Sequence, residues 1–157
     1  METIKIIPAD DYSEFESLVA EYLPGTSMES LRNMYTNFPS ACVGYYIDGR
    51  LLGCCYGAGE ADGHFALDGI AIVFPFNAHG KGGALLAFFE KQVAALGYKR
   101  ISLGSAGGYV ERFYLKNGYT AIELKILVPP GEDWQKSRVG MRTRWLLCSS
   151  KESTQSW

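Results

Sequence analysis

Glycines that directly precede a predicted helix are the residues of this chain best suited to chemistry. The segment reads His79-Gly80-Lys81-Gly82-Gly83, and Ala84 and a run of apolar residues at helical spacing follow it. A helix start carries about four N–H groups without partners inside the helix, together with partial positive charge. Glycine lacks a Cβ atom, so the backbone can close around an anion. The segment therefore predicts a phosphate or pyrophosphate site; the alternative is an ordinary turn that caps the helix.

The spacing of these glycines differs from that of two better-known phosphate-binding loops. A Gly-x-x-x-x-Gly-Lys-Ser/Thr sequence is absent, which disfavours a P-loop nucleotide hydrolase. A Gly-x-Gly-x-x-Gly sequence does not open the first strand–helix unit, which disfavours a dinucleotide-binding fold.

The charge of the chain is almost balanced but unevenly distributed. Fifteen basic and seventeen acidic residues give the 157 residues a formal net charge of −2. This balance lacks the basic excess of a nucleic-acid binder, so we expect no nucleic-acid partner. Acidic residues predominate up to Glu29, where Lys5 is the one basic residue. An acidic start would attract a cationic substrate, and the alternative is a solvated helix face.

Cysteine and histidine placement gives no sign of a metal site. The four cysteines, Cys42, Cys54, Cys55 and Cys148, form no Cys-x-x-Cys pair, and the two histidines are not at ligand spacing. Cys54 and Cys55 lie in an apolar run and are expected to be small buried hydrophobes. The start of the chain has no signal-peptide pattern, and no run of about 18 apolar residues could span a membrane. We therefore expect a cytoplasmic protein without membrane contact.

The elements that must position the glycine segment form a mixed α/β domain over residues 1–148, followed by a flexible tail at 149–157. Asp10 or Asp11 is expected to cap a first helix, and Ser27 a second. Asp48-Gly49 predicts a tight hairpin. The expected strands lie near residues 5–8, 41–47, 51–58, 65–75, 100–103, 119–128 and 139–147, with a helix between the glycines and Gly97 and a short one at 109–117.

Two segments resemble the GNAT superfamily, the acyl-CoA-dependent N-acyltransferases. The family signature Gln/Arg-x-x-Gly-x-Gly/Ala is similar to Asn77-Ala78-His79-Gly80-Lys81-Gly82 and, in a second frame, to residues 79–84. A common Phe-Tyr-x-Lys-x-Gly-Phe segment is similar to Phe113-Tyr114-Leu115-Lys116-Asn117-Gly118-Tyr119. The element order also matches over residues 2–147. The resemblance implies a GNAT fold, with a mostly antiparallel sheet of about seven strands, about four helices and a splayed cofactor cleft.

The resemblance also implies acetyl-CoA as the acyl donor and a primary amine as the acceptor, attacked directly without an acyl-enzyme. The pantetheine arm would pair with the backbone of Ile72, Val73 and Phe74, and an N–H of Ile72 or Val73 would polarise the thioester carbonyl. The pyrophosphate would lie on Asn77, His79, Gly80, Lys81, Gly82, Gly83 and Ala84.

Two proton transfers accompany such a reaction. An alkylamine with a pKa near 10 is only about one part in a thousand neutral at pH 7, so a base assists. Asp68 is the first candidate, because it lies four residues before Ile72 and both would face the same way on a regular strand. Glu60, Asp62 and His64 are alternatives, whereas Glu111 is expected to be exposed and uninvolved. Tyr114 occupies the family's position for the acid that protonates the leaving thiolate.

Three classes of function stay open at this point. The leading prediction is an N-acetyltransferase, whose acidic first helices favour a cationic small molecule or peptide. The second is a non-catalytic module that binds acetyl-CoA, since the signature's usual Gln or Arg is absent. The third is an interaction protein without a cofactor. A homodimer is also possible for such a fold.

Overall fold

A computed structural model describes residues 1–61, 63–76, 80–105, 112–114, 116–122 and 144–147. The chain divides into two compact units, Met1–Lys99 and Arg100–Trp157. The predicted tail at 149–157 and Cys148 lie outside the described residues.

The first unit contains four strands that pair antiparallel in the order β1-β2-β3-β4. Its strands are β1 (Glu2–Ile6), β2 (Val43–Ile47), β3 (Arg50–Gly59) and β4 (Phe65–Ile72). Its helices are α1 (Tyr12–Tyr22), α2 (Met28–Asn37) and α3 (Lys81–Ala95), with 3-10 turns at Ala9–Asp11 and Pro39–Ala41. β4 ends at Ile72, three residues earlier than predicted.

The second unit contains three described strands, β5 (Ile101–Ser105), β6 (Thr120–Ile122) and β7 (Arg144–Leu147). β7 pairs antiparallel with both β5 and β6. Residues 112–114 are helical, inside the segment predicted as a short helix. The alternation of strands and helices over both units confirms the α/β fold class.

The starts of α1 and α2 differ in how they are capped. Ser27 caps α2 as predicted, because its Oγ accepts the N–H of Ser30 at 3.0 Å. Asp11 holds the cap position of α1 but does not bond its N–H groups. Its carboxylate instead accepts the hydroxyl of Tyr46 at 2.7 Å, so tertiary contact has replaced the predicted cap.

The Asp48-Gly49 turn joins β2 and β3 as predicted. Asp48 and Gly49 have φ values of 49° and 83°, the left-handed conformations that a two-residue hairpin requires. The hairpin brings two strongly apolar strands together, and Cys42, Cys54 and Cys55 are fully buried. Burial of Cys54 and Cys55 is thereby confirmed.

The two faces of this sheet pack against different helices. One face packs on α1 and α2 through a cluster of buried residues that includes Phe15, Leu31, Cys54 and Tyr56. The other contacts α3, where Phe65 lies edge-on to Phe89 at 5.8 Å between ring centroids. β4 thus has two environments, and the direction of each side chain decides which one it enters.

Candidate functional site

Some backbone donors of β4 point away from β3. The Val73 N–H donates to the Leu52 carbonyl at 2.8 Å. Hydrogen-bonded and non-bonded pairs alternate along an antiparallel ladder, and the register is regular from Gly69 to Ile72. The N–H groups of Ile70 and Ile72 therefore point to the edge opposite β3. Of the two polarising donors predicted, Val73 is already bonded and Ile72 is directed outward.

A β-bulge interrupts β4 at Asp68. Tyr56 of β3 pairs with Gly69, but the next residue, Gly57, pairs with Leu67, so Asp68 is extra. A bulge breaks the alternation of side chains and re-aims the inserted one. The inserted side chain remains exposed.

The bulge overturns the prediction that Asp68 and Ile72 face the same way. Asp68 turns toward α1 and α2, where its Oδ2 accepts the hydroxyl of Thr26 at 2.8 Å. Ile72 lies on the α3 face beside Gly53, at which an added Cβ would come within 2.9 Å of the Ile72 side chain. The four-residue spacing predicted the wrong face because the inserted residue shifts the alternation of side chains along β4.

Asp68 is the end of a hydrogen-bonded chain of three side chains. The Thr26 hydroxyl that donates to Asp68 also lies 2.8 Å from the Tyr56 hydroxyl. Thr26 and Tyr56 are buried, with 9% and 0% of their surfaces exposed. Burial raises the pKa of the Tyr56 phenol above its usual value. Sequence reasoning missed both residues, because neither lies near Asp68 along the chain.

The other candidate bases lie at the β3–β4 turn. The Glu60 N–H donates to the His64 carbonyl at 2.8 Å, and the Gly63 N–H donates back to Glu60 at 3.2 Å. Glu60 is exposed and His64 half-buried. Asp62 and Glu111 lie outside the described residues. The turn precedes β4, so these groups are farther from Ile72 along the strand than Asp68 is.

The start of α3 is the place where the sequence predicts an anion site. Gly80 holds the N-cap position with φ of 76°, which favours glycine. The Ala84 N–H donates to the Gly80 carbonyl at 3.1 Å. The N–H groups of Lys81, Gly82 and Gly83 precede that bond and so have no partner inside the helix. Asn77, Ala78 and His79 lie outside the described residues.

Lys81 is held by a carboxylate. Its Nζ donates to Glu2 at 2.8 Å, and the Tyr45 hydroxyl donates to the same carboxylate at 3.0 Å. The Lys81 hydrogen bond lowers the pKa of Glu2, and the same bond raises the pKa of Lys81. An anion at this helix start would share Lys81 with Glu2.

A groove of about 400 Å³ opens between α1 and the ends of β3 and β4. Its lining includes Glu14 and Glu21 of α1, together with Arg50 and Val73. Both glutamates are exposed. The acidic wall would attract a cation, and Arg50 adds one opposite charge.

Tyr114 belongs to the second unit and is 5% exposed. Its ring contacts Phe113 and Tyr119, with centroids 5.1 and 5.7 Å away. The Tyr119 N–H donates to the Tyr114 carbonyl at 3.1 Å, and Gly118 between them has φ of 97°. The segment therefore forms a short helical turn closed by glycine, as its sequence indicates.

Neither a candidate metal site nor a membrane-spanning helix is present among the described residues. They contain no group of three or more His, Cys, Asp or Glu residues placed to hold a metal ion. Among the helices in the described ranges, none combines the length and apolar character needed to cross a membrane.

Comparison with known proteins identifies the family and the fold. The model of the acetyltransferase (GNAT) family matches residues 9–119. No curated protein matches significantly in sequence. The PaiA N-acetyltransferase of Thermoplasma acidophilum, in complex with coenzyme A, aligns with a TM-score of 0.68 at 16% identity over 94% of this chain and 98% of that one.

Two further solved structures share this fold. A Drosophila melanogaster polyamine N-acetyltransferase, which forms N-acetylagmatine, aligns with a TM-score of 0.65 at 12% identity over 94% of this chain and 98% of its own. N-acetylglutamate synthase of Neisseria gonorrhoeae, bound to coenzyme A and N-acetylglutamate, gives 0.66 at 16% identity over 94% of this chain. The chain spans about a third of that synthase, with 34% covered. At such identities the likeness concerns the fold alone.

Proposed function

The chain belongs to the GNAT acetyltransferase family, and from this premise we propose that it moves an acetyl group from acetyl-CoA to a primary amine within a ternary complex. The observation that carries the proposal is a pair of backbone donor sets. The N–H groups of Ile70 and Ile72 in β4 point away from β3, and those of Lys81, Gly82 and Gly83 open α3. The first set suits a carbonyl oxygen, and the second suits an anion.

The residues fit an acyl thioester on a carrier that bears phosphate. The backbone of Ile72, Val73 and Phe74 would hold the pantetheine arm along the strand. The N–H groups of Lys81, Gly82 and Gly83, which follow the left-handed Gly80, would hold the pyrophosphate, with Ala84 adjoining them. Asn77 and His79 complete the proposed binding set. The Phe74 side chain is 77% exposed, which leaves it open to contact with the pantetheine arm.

We assign polarisation of the thioester carbonyl to the backbone N–H of Ile70. The N–H of Ile72 is assigned to the pantetheine arm. A strand rises about 3.3 Å per residue, so Ile72 is roughly 13 Å from Asp68 along β4. Ile70 is only two residues from Asp68, so one water can connect the Asp68 carboxylate to an amine that attacks a carbonyl held by Ile70. Its N–H shares the outward direction of Ile72, and a backbone N–H is a fixed donor for the charge that develops on the oxygen.

Proton transfer is assigned to two side chains. Asp68, exposed on the α1–α2 face, takes a proton from the ammonium form of the acceptor. Tyr114 donates a proton to the departing CoA thiolate, which has a pKa near 8.5 if it resembles a free thiol. The amine nitrogen forms its bond to the acetyl carbon as the carbon–sulfur bond breaks, and the second proton that this nitrogen loses reprotonates Tyr114. No side chain becomes acylated.

The acceptor is proposed to be a cationic amine, either a small molecule or a peptide. Glu14 and Glu21 in the groove beside α1 support this choice, because they would attract an ammonium group before reaction. The Drosophila structure is that of a polyamine N-acetyltransferase that forms N-acetylagmatine. Arg50 in the same groove would favour an acceptor that also carries a carboxylate.

Release of free CoA in the presence of a panel of amines tests the proposal. The panel contains agmatine, spermidine, amino acids and short peptides, and acetyl-CoA binding is measured separately by calorimetry. We expect amine-dependent CoA release, with slower turnover and unchanged acetyl-CoA binding for Tyr114→Phe. Binding without release for any amine would instead indicate a non-catalytic acetyl-CoA-binding module. Absence of binding would overturn both functions.

A further inference from the structure

The side chains that contact Asp68 suggest how its carboxylate is held. Thr26, immediately before α2, and Tyr56, in the middle of β3, are joined to it by two hydrogen bonds of 2.8 Å. We propose that Thr26 and Tyr56 are positioning residues that fix the Asp68 carboxylate for proton transfer. This inference rests on the proposed function and assigns it two residues that act through Asp68.

The chemistry of the three groups sets the direction of the chain. An ionised carboxylate only accepts hydrogen bonds, so the single hydroxyl proton of Thr26 points to Asp68. Thr26 must then accept from Tyr56, whose phenol supplies the second proton. Each hydroxyl polarises the next, and the bond that reaches the carboxylate is charge-assisted.

The bulge explains why Asp68 needs such a support. As the inserted residue, Asp68 is outside the regular pairing of β3 with β4. Its exposed side chain would otherwise sample several rotamers. Thr26 fixes one carboxylate oxygen, which leaves the second to accept a proton.

Gly69 makes the approach of Tyr56 possible. A Cβ atom at this position would lie 2.5 Å from the Tyr56 hydroxyl and 2.7 Å from its ring carbon Cζ. The phenol can therefore reach Thr26 only because the residue after the bulge has no side chain. Bulge, glycine and hydroxyl chain form one local arrangement.

The chain ends inside the protein and so does not carry protons away. Tyr56 is fully buried and packs edge-on against Phe15, with ring centroids 5.7 Å apart. Its raised pKa keeps the phenol protonated at neutral pH. Thr26 and Tyr56 therefore orient Asp68, whereas the proton that Asp68 accepts leaves by its exposed side.

Substitutions of Thr26 give the direct test, with kcat and the KM for each substrate measured at a saturating concentration of the other. Thr26→Val keeps the shape of the side chain and removes the hydroxyl. We expect kcat to fall about 10- to 100-fold, since misplacement by about 1 Å can cost that much, with the KM for acetyl-CoA unchanged. Thr26→Ser restores the hydroxyl and should recover kcat to within about threefold of the wild type.

A double variant separates catalysis from folding. Thr26→Val alone leaves the buried Tyr56 hydroxyl without its acceptor, which lowers stability. Addition of Tyr56→Phe removes that unpaired group and should restore the melting temperature. It should not restore kcat, because Asp68 still lacks its donor. Recovery of kcat together with stability would overturn the inference.

Two controls complete the experiment. Tyr46, like Tyr56, belongs to the buried cluster beneath α1 and α2, and its hydroxyl donates to an aspartate, Asp11. Tyr46→Phe removes that hydroxyl. It should lower stability and leave kcat unchanged. In an Asp68→Asn background, Thr26→Val should cause no further loss of kcat.

The outcomes distinguish the two proposals. If the wild type turns over and Thr26→Val matches it, or if its effect adds fully to that of Asp68→Asn, the positioning role is wrong while the acetyltransferase activity stands. If the wild type releases no CoA with any amine, the proposed function fails and the positioning role fails with it.

Discussion

Two regions of the proposed site are built in different ways: the side-chain end at the Asp68 bulge of β4, and the backbone end at the start of α3. Around Asp68 the structure relies on side chains from separate segments, with Thr26 and Tyr56 closing a hydrogen-bonded chain onto the bulge. Beyond Ile72 it relies on backbone, through the left-handed Gly80 and the N–H groups at the start of α3. The first end depends on contacts 30 and 42 residues apart in sequence, and the second on a few consecutive residues.

This contrast indicates a division of work. A proton acceptor must be held at one position and in one protonation state, and hydrogen bonds from particular side chains can do this. A pyrophosphate presents many oxygens, and a series of backbone donors can bind it without any particular side chain. Substitutions at the first end should therefore affect kcat, and those at the second end the KM for acetyl-CoA.

Asp68→Asn should give the largest effect, and it tests whether the side-chain end supplies the general base. We expect kcat to fall about 10²- to 10⁴-fold, the usual contribution of a general base, with acetyl-CoA affinity unchanged. Steady-state kinetics and calorimetry measure the two quantities. Asp48→Asn in the β2–β3 turn is the matched control and should behave as wild type. An unimpaired Asp68→Asn enzyme would move the base to Glu60, Asp62 or His64.

Gly69→Ala should disturb the same end through packing. The new Cβ would lie 2.5 Å from the Tyr56 hydroxyl, so Tyr56 or the backbone must shift. We expect the free energy of unfolding to fall by about 1–3 kcal/mol, together with kcat. Denaturant unfolding measures the stability. Gly25→Ala, with no heavy atom within 4 Å of the new Cβ, should be nearly neutral.

Gly80→Ala tests the backbone end. An added Cβ at φ of 76° meets no atom within 4 Å, so the penalty is conformational, about 1–2 kcal/mol. We expect the KM for acetyl-CoA to rise about tenfold with kcat little changed, and Gly80→Asn to be milder. Gly49→Ala, at φ of 83° in the hairpin and equally unobstructed, should lose stability without a change in KM. A loss of kcat instead of KM in Gly80→Ala would contradict the division of work.

Glu2→Gln should have the smallest effect, at the backbone end. It removes a carboxylate that binds Lys81, so Lys81 becomes available to a pyrophosphate. We expect the KM for acetyl-CoA to fall about twofold, since exposed charge pairs are screened. The sign is the informative part. A higher KM would show that Glu2 positions Lys81 for the ligand instead of competing with it.

The sequence predicted the local features of the backbone end, because short segments determine them. The glycine at the start of α3, the Ser27 cap and the Asp48-Gly49 hairpin all follow local rules, whereas binding of an anion at α3 stays a prediction. The GNAT family and the α/β class could be predicted for the same reason, from short motifs in order. The assignment of Asn77 and His79 to the cofactor stays a prediction.

The side-chain end could not be predicted because register is a property of two strands. Asp68 and Ile72 were expected to share a face, but the extra residue opposite Tyr56 reverses the phase between them. Through the same strand pairing, the Val73 N–H donates to the Leu52 carbonyl and so is not the polarising donor that the sequence suggested. Nothing near Asp68 in sequence indicates Thr26 or Tyr56. Asp11 shows the same limit, since Tyr46 competes for the carboxylate that would cap α1.

The burial of three cysteines has a consequence for redox chemistry. Every proposed turnover liberates coenzyme A, a thiol that can exchange with protein sulfur once either partner is oxidised. Exchange needs an accessible thiolate, and burial raises the pKa of Cys42 to about 12 and that of Cys54 and Cys55 further. All three have no exposed surface. At these positions the folded protein is therefore protected from forming mixed disulfides with its own product.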